Sequence, residues 1–122
     1  MTATFDTYAW IEFFSGTKKG ERVKEYIDSS DMILTPAIAV FELSRKYLRE
    51  GKDPKKQVEY IKQRSKVIDL DFELATAAAR LAVNHKLATA DAIVYTTALA
   101  NKSTLLTGDE HLCGLESVEC LK

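Results

Sequence analysis

Four acidic residues lie at positions where folding alone would not require a charged side chain: Asp6, Glu42, Asp91 and Asp109. Clustered carboxylates repel one another, and their pKa values rise unless a cation neutralises them. No Lys or Arg lies beside Asp6, Asp91 or Asp109 in the sequence, so a hard divalent cation is the natural partner. All-oxygen ligation suits Mg²⁺ or Mn²⁺, and such a site can activate a water molecule against a phosphodiester.

Asp91 taken alone has a second interpretation. It opens a strongly apolar helical segment, and Asp is common at helix starts. Thr89 could cap this helix through its hydroxyl, and the helix dipole favours a negative charge at the same end. Whether Asp91 is a capping residue or a metal ligand depends on where the fold places the other three acids.

Short apolar strands alternate with helices along the chain. The strands are predicted over residues 3–6, 32–35, 66–70, 103–106 and 117–121, and the helices over 7–14, 18–29, 37–49, 54–63, 72–84 and 90–101. This alternation predicts parallel pairing with right-handed crossovers, and therefore a three-layer α/β/α sandwich. Ligands of such open sheets bind outside the carboxyl ends of the strands. Asp6 and Asp109 share that crevice if the first and fourth strands are neighbours, and Asp91 can reach it.

Composition narrows the class of protein. The 122 residues, 46% of them hydrophobic and 29% charged, fit one domain over residues 1–122. A net charge of −1 gives no global basic field. No apolar run is long enough for a membrane span, and the absence of a signal-peptide pattern predicts a cytoplasmic protein. Cys113 and Cys120 fit no zinc spacing, and in a reducing cytoplasm we expect free thiols.

The ordered set of motifs resembles a PIN domain, and most of all the small VapC-type toxins of bacteria and archaea. The motifs are Asp6-Thr7 after a strand, Glu42 on a helix, Thr89-Ala-Asp91 and Leu105-Leu-Thr-Gly-Asp109. The resemblance implies a metal-dependent endoribonuclease with a five-stranded parallel sheet of order 3-2-1-4-5. It further implies a homodimer and a cognate antitoxin that blocks the active site.

The resemblance also assigns roles to the four acids. Asp6 and Asp91 match metal ligands, Glu42 matches an acid beside the metal, directly or through water, and Asp109 matches the most peripheral acid. Thr7 and Thr107 could orient carboxylates or waters by hydrogen bonds. Glu110 comes immediately after Asp109, whereas many relatives carry a further acid a few residues after the corresponding position. Its role and the number of metals therefore stay open.

Other interpretations remain at this stage. The chain could be a PIN nuclease in RNA processing without an antitoxin, or a non-catalytic PIN-like binding module. Between Arg45 and Lys66 the segment carries nine basic and three acidic residues. This surplus is consistent with a phosphate-binding face and equally with a solvated helical hairpin.

Overall fold

The computed structural model describes all 122 residues, as five strands and six helices. The strands are β1 (Thr2–Phe5), β2 (Met32–Pro36), β3 (Lys66–Ile68), β4 (Thr104–Thr107) and β5 (Val118–Cys120). The helices are α1 (Thr7–Ser15), α2 (Lys18–Asp28), α3 (Ala37–Arg49), α4 (Lys55–Arg64), α5 (Phe72–His85) and α6 (Thr89–Ala100). None of these helices has the length and apolar character needed to cross a membrane.

The five strands form one parallel sheet of order β3-β2-β1-β4-β5. The predicted order is confirmed, and so is the pairing of the first and fourth strands, in which Phe5 lies opposite Leu106. Successive strand residues point to opposite faces of a sheet. Leu106 accordingly joins a core with residues of α1, α2 and α4, whereas Leu105 joins a second core with residues of α6. Helices therefore cover both faces, as in the predicted three-layer sandwich.

The aromatic residues of α1 belong to the larger core. Trp10 is fully buried, and its indole Nε1 donates to Thr35 Oγ1 at 3.0 Å. Phe14 stacks on the Trp10 ring, and Tyr60 of α4 packs edge-on against it. The helix α2 approaches α1 so closely that a Cβ on Gly20 would collide with the Glu12 carbonyl oxygen. The aromatic side chains thus fix the positions of helices around Asp6, at the start of α1.

Helix α6 is buried from Ala92 to Ala98, as its apolar sequence predicts. The prediction that Thr89 caps this helix is wrong. The helix begins at Thr89, its N-cap is Ala88, and no side chain makes a capping hydrogen bond. A capping hydroxyl must precede the first helical residue, and Thr89 is itself that residue.

The expectation of free thiols is also wrong, because Cys113 and Cys120 form a disulfide. The expectation rested on cellular compartment, which does not determine the distance between two side chains. The loop after β4 folds back before β5, and this brings the two Cα atoms to 5.4 Å. That separation lies within the range that a disulfide requires.

Candidate metal centre

A cavity of about 260 Å³ opens at the carboxyl ends of β1 and β4. All four predicted acids line it, although they come from four separate segments of the chain. The complete lining is Asp6, Thr7, Tyr8, Glu42, Ala90, Asp91, Val94, Gly108, Asp109 and Leu112. No Lys or Arg is among these residues, so the negative charge of the cavity has no basic counterpart within its walls.

Asp6 is the most deeply buried of the four acids, with 7% of its surface exposed. It follows β1 and caps α1, where its Oδ1 accepts from the Ala9 amide at 2.8 Å. Its Oδ2 accepts from the Thr107 hydroxyl. Burial raises the pKa of Asp6 to about 7, and the charges of Asp109 and Asp91 add to this, although both hydrogen bonds oppose it.

Asp91 and Asp109 form a coupled pair of carboxyl groups. Burial and the neighbouring Asp109 raise the pKa of Asp91 to about 6. Burial alone would also raise the pKa of Asp109, but hydrogen bonds from His111 and Asp91 outweigh it and lower that pKa. When this pair carries one proton in the absence of a cation, the proton lies on Asp91 and the negative charge on Asp109.

Two threonines connect the acids to one another and to the fold. Thr7 Oγ1 donates to Glu42 Oε1 at 2.7 Å, so α1 orients a carboxylate of α3. Thr107 Oγ1 donates to Asp6 and accepts from the Asp109 amide at 3.0 Å. Both hydroxyls therefore donate to carboxylates that line the cavity.

Sequence reasoning did not assign His111 and Tyr8 to the site. The His111 amide donates to Asp109 Oδ1 at 2.8 Å, and its ring Nδ1 lies 3.1 Å from the same oxygen. Asp91, Asp109 and His111 each offer a ligand atom within 4.8 Å of the others. The Tyr8 ring lies directly against Gly108, where a Cβ would collide with it. Gly108, between Thr107 and Asp109, was a signal for such a close approach.

Comparison with known families settles which fold family this is, because residues 3–116 match the family model of the PIN domain. The chain belongs to the PIN domain family. Curated protein sequences give no significant match.

Solved structures show the same fold as this PIN domain. A toxin-antitoxin complex from Klebsiella pneumoniae matches with a TM-score of 0.81 and 21% identity over 98% of both chains. VapBC2 from Rickettsia felis, bound to a DNA fragment from its promoter, gives 0.80 and 14% over 100% of both. DNA-bound VapBC from Salmonella typhimurium gives 0.75 and 13%, covering 100% of this chain and 99% of the other. At these identities the likeness concerns the fold.

The donor set of this PIN domain fits a hard divalent cation. The carboxylates offer oxygen ligands with hydroxyl oxygens beside them, and Mg²⁺ and Mn²⁺ prefer such ligands; His111 adds a ring nitrogen close to Asp91 and Asp109. Burial is the main cause of the raised pKa values of Asp6 and Asp91, and the neighbouring carboxylates add to it, while no Lys or Arg lines the cavity. Glu110 is exposed and does not line the cavity, so it stands apart from this donor set.

Proposed function

We propose that this PIN domain is a Mg²⁺- or Mn²⁺-dependent endoribonuclease that hydrolyses RNA phosphodiester bonds. One observation carries the proposal: four carboxylates from four separate segments line one cavity that contains no basic residue. Without a bound cation, the mutual repulsion of these carboxylates destabilises the fold. Their placement around one cavity therefore supports a cation-binding role.

Asp6, Asp91 and Asp109 would hold the cation, with Glu42 beside it directly or through water. When bound, the cation supplies positive charge to the phosphodiester and lowers the pKa of an attacking water. A proton on Asp6 or Asp91 must be released before that residue can act as a ligand, because only an ionised carboxylate binds the cation well.

The remaining groups orient reactants and carry protons. Glu42 uses Oε1 to accept from Thr7, which leaves Oε2 free to accept a proton from the attacking water. Thr107 keeps Asp6 and the Asp109 backbone at a fixed separation. Rigid positioning of this kind reduces the reorganisation that catalysis would otherwise require.

An antitoxin is the proposed protein partner. The solved relatives named above are toxin-antitoxin and VapBC complexes, and the chain matches them over nearly their whole length. With RNA as substrate and an antitoxin as inhibitor, we place the activity in the cytoplasm, within a single domain. A short reading frame directly upstream that encodes a DNA-binding protein would support this assignment, and its absence would favour an RNA-processing nuclease.

A homodimer is also proposed, and an exposed apolar patch supports it. Leu70, Phe72 and Val83, at and along α5, are exposed by 46%, 81% and 78%. Beside Leu70 lies an apolar cavity of about 310 Å³ lined mainly by alanines of α5 and by Ile93. Exposed apolar side chains beside an apolar cavity are a feature that protein interfaces share. Sedimentation equilibrium tests the dimer, and a monomer at micromolar concentration would contradict it.

An RNA cleavage assay tests the enzymatic proposal. Wild type, Asp91→Asn and Glu110→Gln are compared with MnCl₂, with MgCl₂ and with EDTA. We expect metal-dependent cleavage, a loss of at least about a hundredfold in Asp91→Asn, and full activity in Glu110→Gln, whose side chain lies outside the cavity. Cleavage in EDTA or full activity in Asp91→Asn would contradict the proposal. Manganese binding without any cleavage would favour a non-catalytic module.

A further inference from the structure

An exposed stripe of aromatic and basic side chains runs along α3 from the acidic cavity. We call Phe41, Arg45 and Arg49 the α3 ridge. They are four residues apart, so they share one face of the helix, and all three are exposed. Phe41 leaves 60% of its surface accessible, and the Arg45 guanidinium lies 5.2 Å from the centre of its ring.

The ridge carries positive charge that the protein itself does not neutralise. Three other basic residues of the segment are engaged, and two of them, Lys46 and Lys52, pair with Glu50 at 2.7 and 3.4 Å. Arg64 donates to main-chain carbonyl oxygens between Tyr26 and Asp31. Arg45 and Arg49 form no ion pair and donate no hydrogen bond, so their guanidinium groups are available to an anionic ligand.

The ridge and the acidic cavity are continuous through Glu42. Glu42 lines the acidic cavity, and it also lines a groove of about 440 Å³ with Arg45, Lys46, Arg49 and Glu50. A ligand that occupies the cavity and extends past Glu42 therefore meets the two free arginines next.

A second cation–aromatic pair lies at the cavity itself. Tyr8 lines the cavity, and Lys19 Nζ lies 2.9 Å from its hydroxyl and 5.4 Å from the centre of its ring. Two such pairs, one at the cavity and one beyond Glu42, match a ligand that alternates negative charges with flat aromatic faces. A single-stranded polynucleotide has this chemistry, whereas a duplex hides its base faces.

We propose that the α3 ridge is a binding subsite for single-stranded RNA outside the metal centre. A base stacks on the surface formed by Phe41 and Arg45, and phosphates pair with Arg45 and Arg49. The proposal deepens the proposed function and rests on it for the identity of the polynucleotide. A protein that docked on this face through apolar contacts is the alternative that the experiment must exclude.

Anisotropy of a labelled single-stranded RNA in EDTA measures binding without cleavage. The variants are Phe41→Leu, Phe41→Tyr, Arg49→Gln and, as a charge-matched control, Lys56→Gln on α4. Phe41→Leu keeps apolar surface and loses the aromatic face, so we expect about a tenfold weaker affinity, with recovery in Phe41→Tyr. Arg49→Gln should flatten the slope of log affinity against log salt by about 0.7, and Lys56→Gln should not.

The outcomes separate this subsite from the proposed nuclease. If Phe41→Leu binds RNA as tightly as wild type, the subsite is wrong and the ridge is free to bind a protein, even if the enzyme cleaves RNA. If wild type does not bind the RNA at all, the subsite is equally wrong. If Phe41→Leu weakens binding and wild type fails to cleave with Mn²⁺, the subsite stands and the nuclease proposal fails.

Discussion

Asp6 and Asp71 occupy the same local position in two different places of the fold. Each caps a helix, Asp6 for α1 and Asp71 for α5, and each accepts from the amide three residues later at 2.8 Å. Asp71 is exposed, whereas Asp6 is buried beneath the acidic cavity. Their capping hydrogen bonds are thus the same, and their surroundings differ.

The difference comes from the sheet. Asp6 follows β1, the central strand, and its neighbour β4 ends in Thr107, whose hydroxyl donates to Asp6. Asp71 comes after β3, at the edge of the sheet, and the acids that share a groove with it, Asp69 and Glu73, belong to its own segment of the chain. A helix-capping Asp is a candidate metal ligand only where the end of a second strand places further carboxylates beside it. The predictions below test this contrast, from the largest expected effect to the smallest.

The pH dependence of stability should distinguish the two caps in the metal-free protein. Folded Asp6, with a pKa of about 7, keeps a proton that the unfolded chain has released at its ordinary value of 3.8. The folded state therefore binds more protons, and the free energy of unfolding falls as pH rises from about 4 to 7. For one group this slope is at most about 1.4 kcal/mol per pH unit.

Urea unfolding in EDTA between pH 5 and 7.5 measures this slope. Asp6→Asn should make it less steep, with the contribution of Asp91 retained, and should preserve the cap, since Asn also caps well. Asp71→Asn should leave the slope unchanged. Saturating Mn²⁺ at pH 7.5 should restore stability in wild type by mass action. Equal slopes in wild type and Asp6→Asn would show that burial does not affect Asp6 in this way.

Replacement of Thr107 should lower the affinity of the candidate metal centre for Mn²⁺ without abolishing binding. Thr107→Val removes the hydroxyl that joins Asp6 to the Asp109 backbone, and outer-shell losses of this kind cost about 10–100-fold in metal affinity. Thr96→Val is the matched control, because the Thr96 hydroxyl is buried on α6 without a hydrogen-bond partner. Calorimetric titration with Mn²⁺ compares the two, and similar affinities in both variants would count against a role for Thr107.

Loss of the ordinary cap should affect stability alone. Asp71→Ala removes the acceptor for the Leu74 amide, and the loss of an N-cap costs about 1 kcal/mol. RNA cleavage at a temperature where the variant is folded should equal that of wild type. A variant as stable as wild type, or one with reduced cleavage, would break the contrast between Asp71 and Asp6.

Local sequence patterns predicted much of the fold and the positions of the acids in it. Pro36 before and Gly51 after the apolar-to-basic segment bracket α3, which runs over Ala37–Arg49 as predicted. Asp6 and Asp109 were recognisable because each follows a short predicted strand, the first rich in threonine and the fourth more apolar. The sheet order came from the family resemblance, since alternation alone does not determine which strands become neighbours.

Other features depend on contacts that no local pattern contains. The disulfide requires the loop after β4 to return beside β5. The contact of Tyr8 with Gly108 depends on the approach of α1 to the end of β4. The basic segment was divided into paired and free charges only once Glu50 and the carbonyls near Tyr26 were placed. Such features depend on contacts between segments that are distant in the sequence, so no local sequence pattern predicts them.

The hydrogen bond between Asp6 and Thr107 joins residues 101 positions apart in the chain. During translation β1 leaves the ribosome long before β4, and until β4 pairs beside it the cavity lacks both Thr107 and Asp109. A nascent chain that still holds β4 inside the ribosome therefore lacks two of the groups that belong to the candidate metal centre. For the proposed nuclease, we therefore expect cleavage activity only after β4 has left the ribosome and paired with β1.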